Sequence, residues 1–202
     1  MRLRQQKKEN TRAALADATI RLALADGFDG FTVDQVAEIA GVSRRTFFRY
    51  FDTKEAAFFA EHETRFEAFS DALQARLPGE TAYDTVRRCL LDMAREYDNN
   101  RAELTARHFT IEDSRALLAY DLAMDRRFEY AIIEALRDNE MDVLRARVLG
   151  SAVFGVVRAV LRPWFQEPIS EPLVDLGRRA LDLLEVGFRS DRGQVVQFPE
   201  WS

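Results

Sequence analysis

Two adjacent arginines and a threonine, Arg44-Arg45-Thr46, follow Ser43, with Arg49 and Tyr50 one turn further on. Residues of these types suit the reading of nucleic acid. A guanidinium forks onto the O6 and N7 of guanine, and a threonine meets a thymine methyl. At the start of a short helix, Arg44, Arg45 and Thr46 fall in the turn that enters a major groove, while Arg49 and Tyr50 come round toward the backbone. Thr32 and Lys54 stand at two further predicted helix starts, where amide groups and the helix dipole favour a phosphate. Arg2, Arg4, Lys7 and Lys8 form an arm able to lie along a groove or over phosphates. A double arginine by itself is usually only a solvated helix face, and Phe47, Phe48 and Phe51 have the spacing of core residues. The weight therefore falls on the ordered arrangement around them.

That arrangement needs short helices held at fixed angles. From about Lys7 to Ala25, Leu15, Ala18, Leu22 and Ala25 recur at steps of three and four, which predicts a long first helix ended by Gly27. Thr32-Val33-Asp34-Gln35 reads as a capping box opening a second helix. Gly41-Val42-Ser43 breaks it, with Gly41 suited to a positive φ and Ser43 to capping a third helix that runs to about Tyr50. Thr53 can cap a fourth, entered at Lys54. Two helices of about eight residues joined by a glycine-containing turn make a helix-turn-helix, and helices so short depend on their neighbours for stability.

The run GFDGFTVDQVAEIAGVSRRTFFRYFDTKEAAF, within residues 11–58, resembles the DNA-binding head of the TetR family of transcriptional regulators. The threonine-opened helix 32–40, the Gly41-Val42-Ser43 turn and the Phe51-x-x-Lys54-Glu55 close carry the likeness. It implies DNA-contacting roles for Thr32, Ser43, Arg44, Arg45, Thr46, Tyr50 and Lys54. The family usually has tyrosine at position 48 and histidine at 50; here Phe48 lacks the hydroxyl, so that phosphate contact is lost or passes to Tyr50.

Charge alone is a weak guide. The chain carries a net −5, yet residues 1–60 hold ten Lys and Arg against eight Asp and Glu, leaving an acidic remainder. DNA responds to local potential, so a slightly basic head on an acidic body is compatible with it. Five prolines and nine glycines in 202 residues indicate a helical protein. The N-terminus has no signal-peptide apolar segment and no run of about 18 apolar residues occurs, so no membrane span is expected. A single cysteine, Cys89, fits a reducing cytoplasm. It lies beside Arg87 and Arg88, which would favour its thiolate, although a buried structural thiol is the default.

Beyond Lys54 the pattern predicts helices to about Leu77, where Pro78-Gly79 stops the chain, then from Thr81 to Asp98. A stretch from Arg101 to Arg137 divides near Ser114, and helices follow from Met141 to Trp164 and from Glu171 to Phe188. The expectation is an all-α protein of about nine helices. A helix-turn-helix domain over 1–53 precedes a ligand-binding and dimerisation domain over 54–190 and a loose tail over 191–202. The helix from Met141 is apolar nearly all round, and its Val148, Ser151, Gly155 and Ala159 suit close helix approach. The last helix presents Leu173, Leu176, Ala180 and Leu184. Together they predict an isologous dimer interface, which would pair two heads on a palindromic double-stranded operator. The family resemblance implies the same use of the last two helices.

An effector pocket is expected among the body aromatics and methionines, with Phe66, Tyr97, Phe109, Tyr120, Met124 and Phe128 as candidates. RALLAYDLAMDRRFEYAIIEALRD and RARVLGSAVFGVVRAVLRPW resemble the C-terminal domain of the MftR-like subgroup of mycofactocin regulators, which implies an acyl-CoA-like ligand. No cofactor or metal is expected, since His62 and His108 lack ligands at metal spacing. The chain thus reads as a repressor released by a small molecule. The alternatives are an architectural DNA-binding protein and a small helical enzyme, for which no nucleophile–base pair or phosphate-binding loop speaks.

Overall fold

The structure, a computed structural model, describes residues 2–137 and 141–186. Ten α-helices and no strand are found among the described residues: α1 Arg2–Asp26, α2 Val33–Ile39, α3 Arg44–Tyr50, α4 Lys54–Phe58, α5 Ala60–Gln74, α6 Ala82–Asn99, α7 Arg101–Glu112, α8 Arg115–Leu136, α9 Val143–Gln166 and α10 Leu173–Val186. A 3-10 turn, Phe28–Gly30, lies between α1 and α2. The 191–202 tail and Phe188 lie outside the described residues. The basic arm is helical rather than extended, since α1 begins at Arg2.

Local chemistry sets most of the helix starts. Thr32 and Gln35 close a full capping box, and Ser43, Thr53, Ser114 and Asp142 each accept a first-turn amide with the side-chain oxygen. Thr81 forms a second capping box, with Asp84. Gly27 at φ 75 and Gly41 at φ 65 turn the chain where a side chain would be strained.

Two expectations are corrected by tertiary contacts. The helix expected from Lys54 to Leu77 breaks at Phe59, where φ −88 and ψ 9 separate α4 from α5, which gives ten helices among the described residues where about nine were expected. The carbonyl of Phe58 at this break accepts from Arg107 Nη2 of α7 at 3.0 Å. Near the other end of the chain, α9 carries Pro163 inside it and runs on to Gln166, two residues past the expected end at Trp164. Trp164 is fully buried there, and its carbonyl accepts from Arg101 Nη2 at 2.9 Å.

Three apolar clusters fill the interior. The head core of Leu15, Val36, Phe47 and Phe51 continues past residue 53 into Ala57, Phe58, Phe59 and Leu117, so head and body share packing. A middle cluster joins α5, α6, α8, α9 and α10, and a third gathers around Trp164 and Leu173. The tightest approach is between α8 and α9. A Cβ built on Gly150 would lie 2.5 Å from Ile133 Cγ1 and 3.0 Å from its Cα. Gly150→Ala should therefore destabilise the body by about 1–3 kcal/mol, read as a lower Tm in thermal unfolding. An unchanged Tm would show that this contact yields.

Candidate functional site

The head builds an exposed cationic face by burying the opposite side of α3. Phe47 is fully buried, edge-on to Phe48 at 5.4 Å and tilted against Phe51 at 5.9 Å. With that anchor fixed, Ser43, Arg44, Arg45, Phe48 and Arg49 point to solvent, while Thr46 and Tyr50 are half-buried. Arg44 Nη1 meets Asp34 Oδ2 at 2.7 Å and its guanidinium lies 5.3 Å from the Phe48 ring centre. Both partners of that ion pair are exposed, so it is worth no more than about 1 kcal/mol and gives way to a stronger acceptor. Arg45 and Arg49 have no ion-pair partner among the described residues, although Arg49 lies over Tyr50 at 5.3 Å. Ser43 Oγ accepts from Thr46 N at 3.2 Å, which fixes the first turn. Thr32 is exposed but spends its hydroxyl on Gln35.

Lys54 is placed differently from the phosphate ligand expected. Its Nζ donates to Phe28 O and Phe31 O, each at 2.8 Å, and sits 4.6 and 4.2 Å from the centres of those two rings. The ammonium thus staples the start of α4 to the 3-10 turn and the residue after it, just before α2.

Below the head lies a chamber of about 310 Å³, walled by the α4–α5 junction, α6, α7, α8 and α9. Of the aromatic and methionine candidates only Tyr97 lines it. Met124 and Phe128 are core residues, 1 % and 6 % exposed. Tyr120 stacks on Phe59 at 4.7 Å and donates to Glu63 at 3.2 Å. Phe66 borders a separate surface groove between α5 and α8, with Arg127 over its ring at 4.2 Å, and Phe109 is exposed. Aromatic content pointed to the core because the core is where most aromatics go.

The chamber instead gathers titratable groups that composition passed over: His62, Arg107, His108, Asp121, Asp125 and Arg158. The signal for the aspartates was their four-residue spacing beside the buried stripe Leu117, Met124 and Phe128. Burial, then the neighbouring Asp125, pushes the Asp121 carboxyl up to about 6, against the pull of Arg158. Burial likewise raises Asp125. His62 is held down at about 4, first by burial and then by Arg65 and Arg107, so its imidazole is neutral. His108 stacks on Phe165 at 4.7 Å, and its buried Nε2 has no hydrogen-bond partner among the described residues. Arg107, 5 % exposed, joins this wall to the α4–α5 junction through Glu61 and the Phe58 carbonyl, and also meets Glu103 of its own helix at 3.0 Å. Cys89 is buried, and burial raises its thiol despite Arg88.

The outer face of α9 carries Leu144, Val148, Ser151, Gly155 and Ala159, all exposed, and a Cβ on Gly155 would meet nothing within 4 Å. On α10 the exposed apolar residues are Leu183 and Val186, which the sequence reading omitted. Leu173, expected at this face, is instead core: it is 5 % exposed and its N–H donates to Asp98 at 2.6 Å. Leu176, Ala180 and Leu184 are half-buried, and Leu176 and Leu184 pack against the body clusters.

Residues 15–60 match the family described as bacterial regulatory proteins, tetR family. Along nearly its whole length the chain is similar to the transcriptional regulator TcmR of Streptomyces glaucescens, with 29 % identity covering 98 % of this chain and 89 % of that protein. It is 28 % identical, over 58 % of this chain and 60 % of the other, to the putative mycofactocin biosynthesis regulator MftR of Mycobacterium tuberculosis. The fold is that of Thermus thermophilus FadR, a transcriptional repressor whose crystal structure holds lauroyl-CoA. Its TM-score is 0.59 at 18 % identity, covering 93 % of this chain and all of that one. No helix among the described residues is long and apolar enough to cross a membrane.

Two outcomes follow from this geometry. Lys54→Ala leaves two carbonyls without a donor, so it should cost about 1–3 kcal/mol and lower Tm by about 2–8 °C. A phosphate ligand would instead reduce the salt slope of DNA binding by about one with Tm unmoved. For Asp121 the folded protein binds the carboxyl proton more tightly than the unfolded chain does. Its contribution to stability is therefore greatest at low pH and is lost as pH rises from about 4 through 6. Asp121→Asn should raise Tm at pH 7.5, on the order of 3–5 °C, with the gain fading toward pH 4. His62 acts in the opposite sense but is common to both proteins, so the difference isolates Asp121.

Proposed function

We propose that the chain is a transcriptional regulator of the TetR family, a homodimeric repressor released from a palindromic operator by a small molecule seated in the body chamber. The observation that carries this reading is α4. This five-residue helix is stapled to the head by Lys54 at one end and to the chamber wall by the Phe58–Arg107 contact at the other. A ligand that favours one position of that wall over another favours one position of the head, and such differential affinity is the physical requirement for release.

In this reading residues 1–53 are the DNA-binding head and 54–190 the ligand-binding and dimerisation body. Arg44, Arg45 and Thr46 enter the major groove. Thr32, Ser43, Arg49 and Tyr50 hold phosphates. Lys54 supports the head from within. The exposed apolar residues of α9 and α10 form the isologous contact, with Leu144, Val148, Leu183 and Val186 around the small residues Gly155 and Ala159. Such a dimer sets two α3 helices against half-sites about 34–36 Å apart, or a multiple of that. The architectural reading gains nothing from the structure, since a single compact head with an arginine-tipped α3 is suited to reading bases rather than to bending DNA without preference. The enzyme reading has no support in the regulators the chain resembles.

Selection of bound duplexes from a random pool tests the proposal. An operator with two inverted half-sites should emerge, and Arg45→Ala should relax preference at particular base pairs by about 1–3 kcal/mol each. Val148→Arg combined with Leu183→Arg should give a monomer in sedimentation and abolish tight operator binding. Equal affinity for selected and random duplexes at fixed salt would overturn the reading.

A further inference from the structure

The charges inside the chamber are unevenly satisfied. Its arginines, with one exception, already hold carboxylates. Arg65 Nε meets Glu96 at 2.8 Å, Arg107 meets Glu61 and Glu103, and Arg162 meets Glu112 at 3.1 Å. Asp121 and Asp125, by contrast, stand one turn apart on α8, both line the chamber, and neither has an ion-pair partner within 4.0 Å among the described residues. Arg158 faces them from α9, but it is exposed and makes no hydrogen bond or ion pair with either. Further acceptors line the same space. Tyr97 is only 6 % exposed, and its hydroxyl has no hydrogen bond among the described residues. His62 borders the chamber as a neutral imidazole, likewise without a hydrogen bond among the described residues.

The unspent capacity of the chamber is therefore acceptor capacity. A protonated amine brings up to three N–H donors and one positive charge, which would relieve two carboxylates held away from water. The remaining walls, among them Phe58, Phe59, Leu104 and Phe165, suit an apolar ring system. A carboxylate or phosphate in the same place would meet Asp121 and Asp125 as unpaired like charges, while Arg65, Arg107 and Arg162 already hold carboxylates and the remaining arginine, Arg158, is exposed. On the reading that this chamber is the effector site, we infer that its effector is an organic cation, an amine on an aromatic body, with Asp121 and Asp125 as counter-charges and Tyr97 and His62 as further acceptors. The acyl-CoA-like ligand expected from the sequence resemblance is of the opposite sign, and the chamber's carboxylates disfavour it.

Three probes of one shape and different charge test this on the full chain: 2-naphthylmethylamine, 2-naphthylmethanol and 2-naphthoate, followed by calorimetry and thermal shift at pH 7.5. The amine should bind at least about tenfold more tightly than the alcohol, and the naphthoate most weakly. Asp121→Asn with Asp125→Asn should bring amine and alcohol within about twofold of each other, and Arg158→Gln should tighten the amine alone. Near pH 6, amine binding to the unmodified protein should release protons, seen as a dependence of the measured heat on the buffer's ionisation enthalpy. That measurement and Arg158→Gln keep the inference falsifiable if the double variant fails to fold. Equal binding of amine and alcohol, a preference for naphthoate, or no binding of any probe would overturn it. Operator release by the naphthoate would leave a ligand-released repressor standing while removing the cation assignment. Amine binding that leaves the operator complex intact would do the reverse.

Discussion

A guanidinium taken almost wholly out of water organises the centre of this molecule. Arg107 reaches from α7 to the carboxylates of Glu61 and Glu103 and to the carbonyl of Phe58. A buried cation of this kind is tolerated only while its charge and its donors are matched, here by two carboxylates and one carbonyl. Three consequences follow from that single demand. The helix that starts at Lys54 is interrupted at Phe59, next to the carbonyl that the arginine occupies. The body is fastened to the last residue of α4. The chamber also acquires a cation already neutralised by its own carboxylates, and this leaves the aspartates of α8 as its unpaired carboxylates, facing only the exposed Arg158.

Lys54 mirrors the arrangement at the other end of α4. Both are cations turned inward onto main-chain oxygens, and both sit against phenylalanine rings, Phe28 and Phe31 for the lysine and Phe58 for the arginine. The segment between them is too short to bend much, so it transmits displacement as a strut would. Coupling between a chamber and a DNA-reading helix then needs no long relay of side chains, only two contacts with directional hydrogen bonds at the ends of one element.

What the sequence made legible was mostly local. Thr32 with Gln35, Ser43, Thr53 and Ser114 announce their helices because a cap and its amide are three residues apart, and Gly27 and Gly41 announce turns through backbone freedom alone. The orientation of α3 was equally readable, since one buried face fixes the other. Placements that the sequence did not show depend on partners far along the chain. Lys54 reads as a phosphate ligand, while the carbonyls that its ammonium meets in the structure lie more than twenty residues earlier. Leu173 looked like an interface residue, but Asp98 and the cluster around Trp164 draw it inward. The chamber was the least legible part. It is made where helices fail to meet, and no periodicity in one helix reports the gap between several.

The close contact of Gly150 with Ile133 also bears on how a bound molecule could do work. There α8 and α9 meet with only the Ile133 side chain between their backbones, and the same two helices carry Asp121, Asp125 and Arg158. The opposite wall carries the helix break at Phe59, which is buried against Phe58 and Tyr120, and is tied to α7 through Arg107. On the proposed reading, a guest in the chamber would act where a helix is already interrupted, sending strain toward the head and sparing the exposed faces of α9 and α10, where a second subunit would need a surface that keeps its shape.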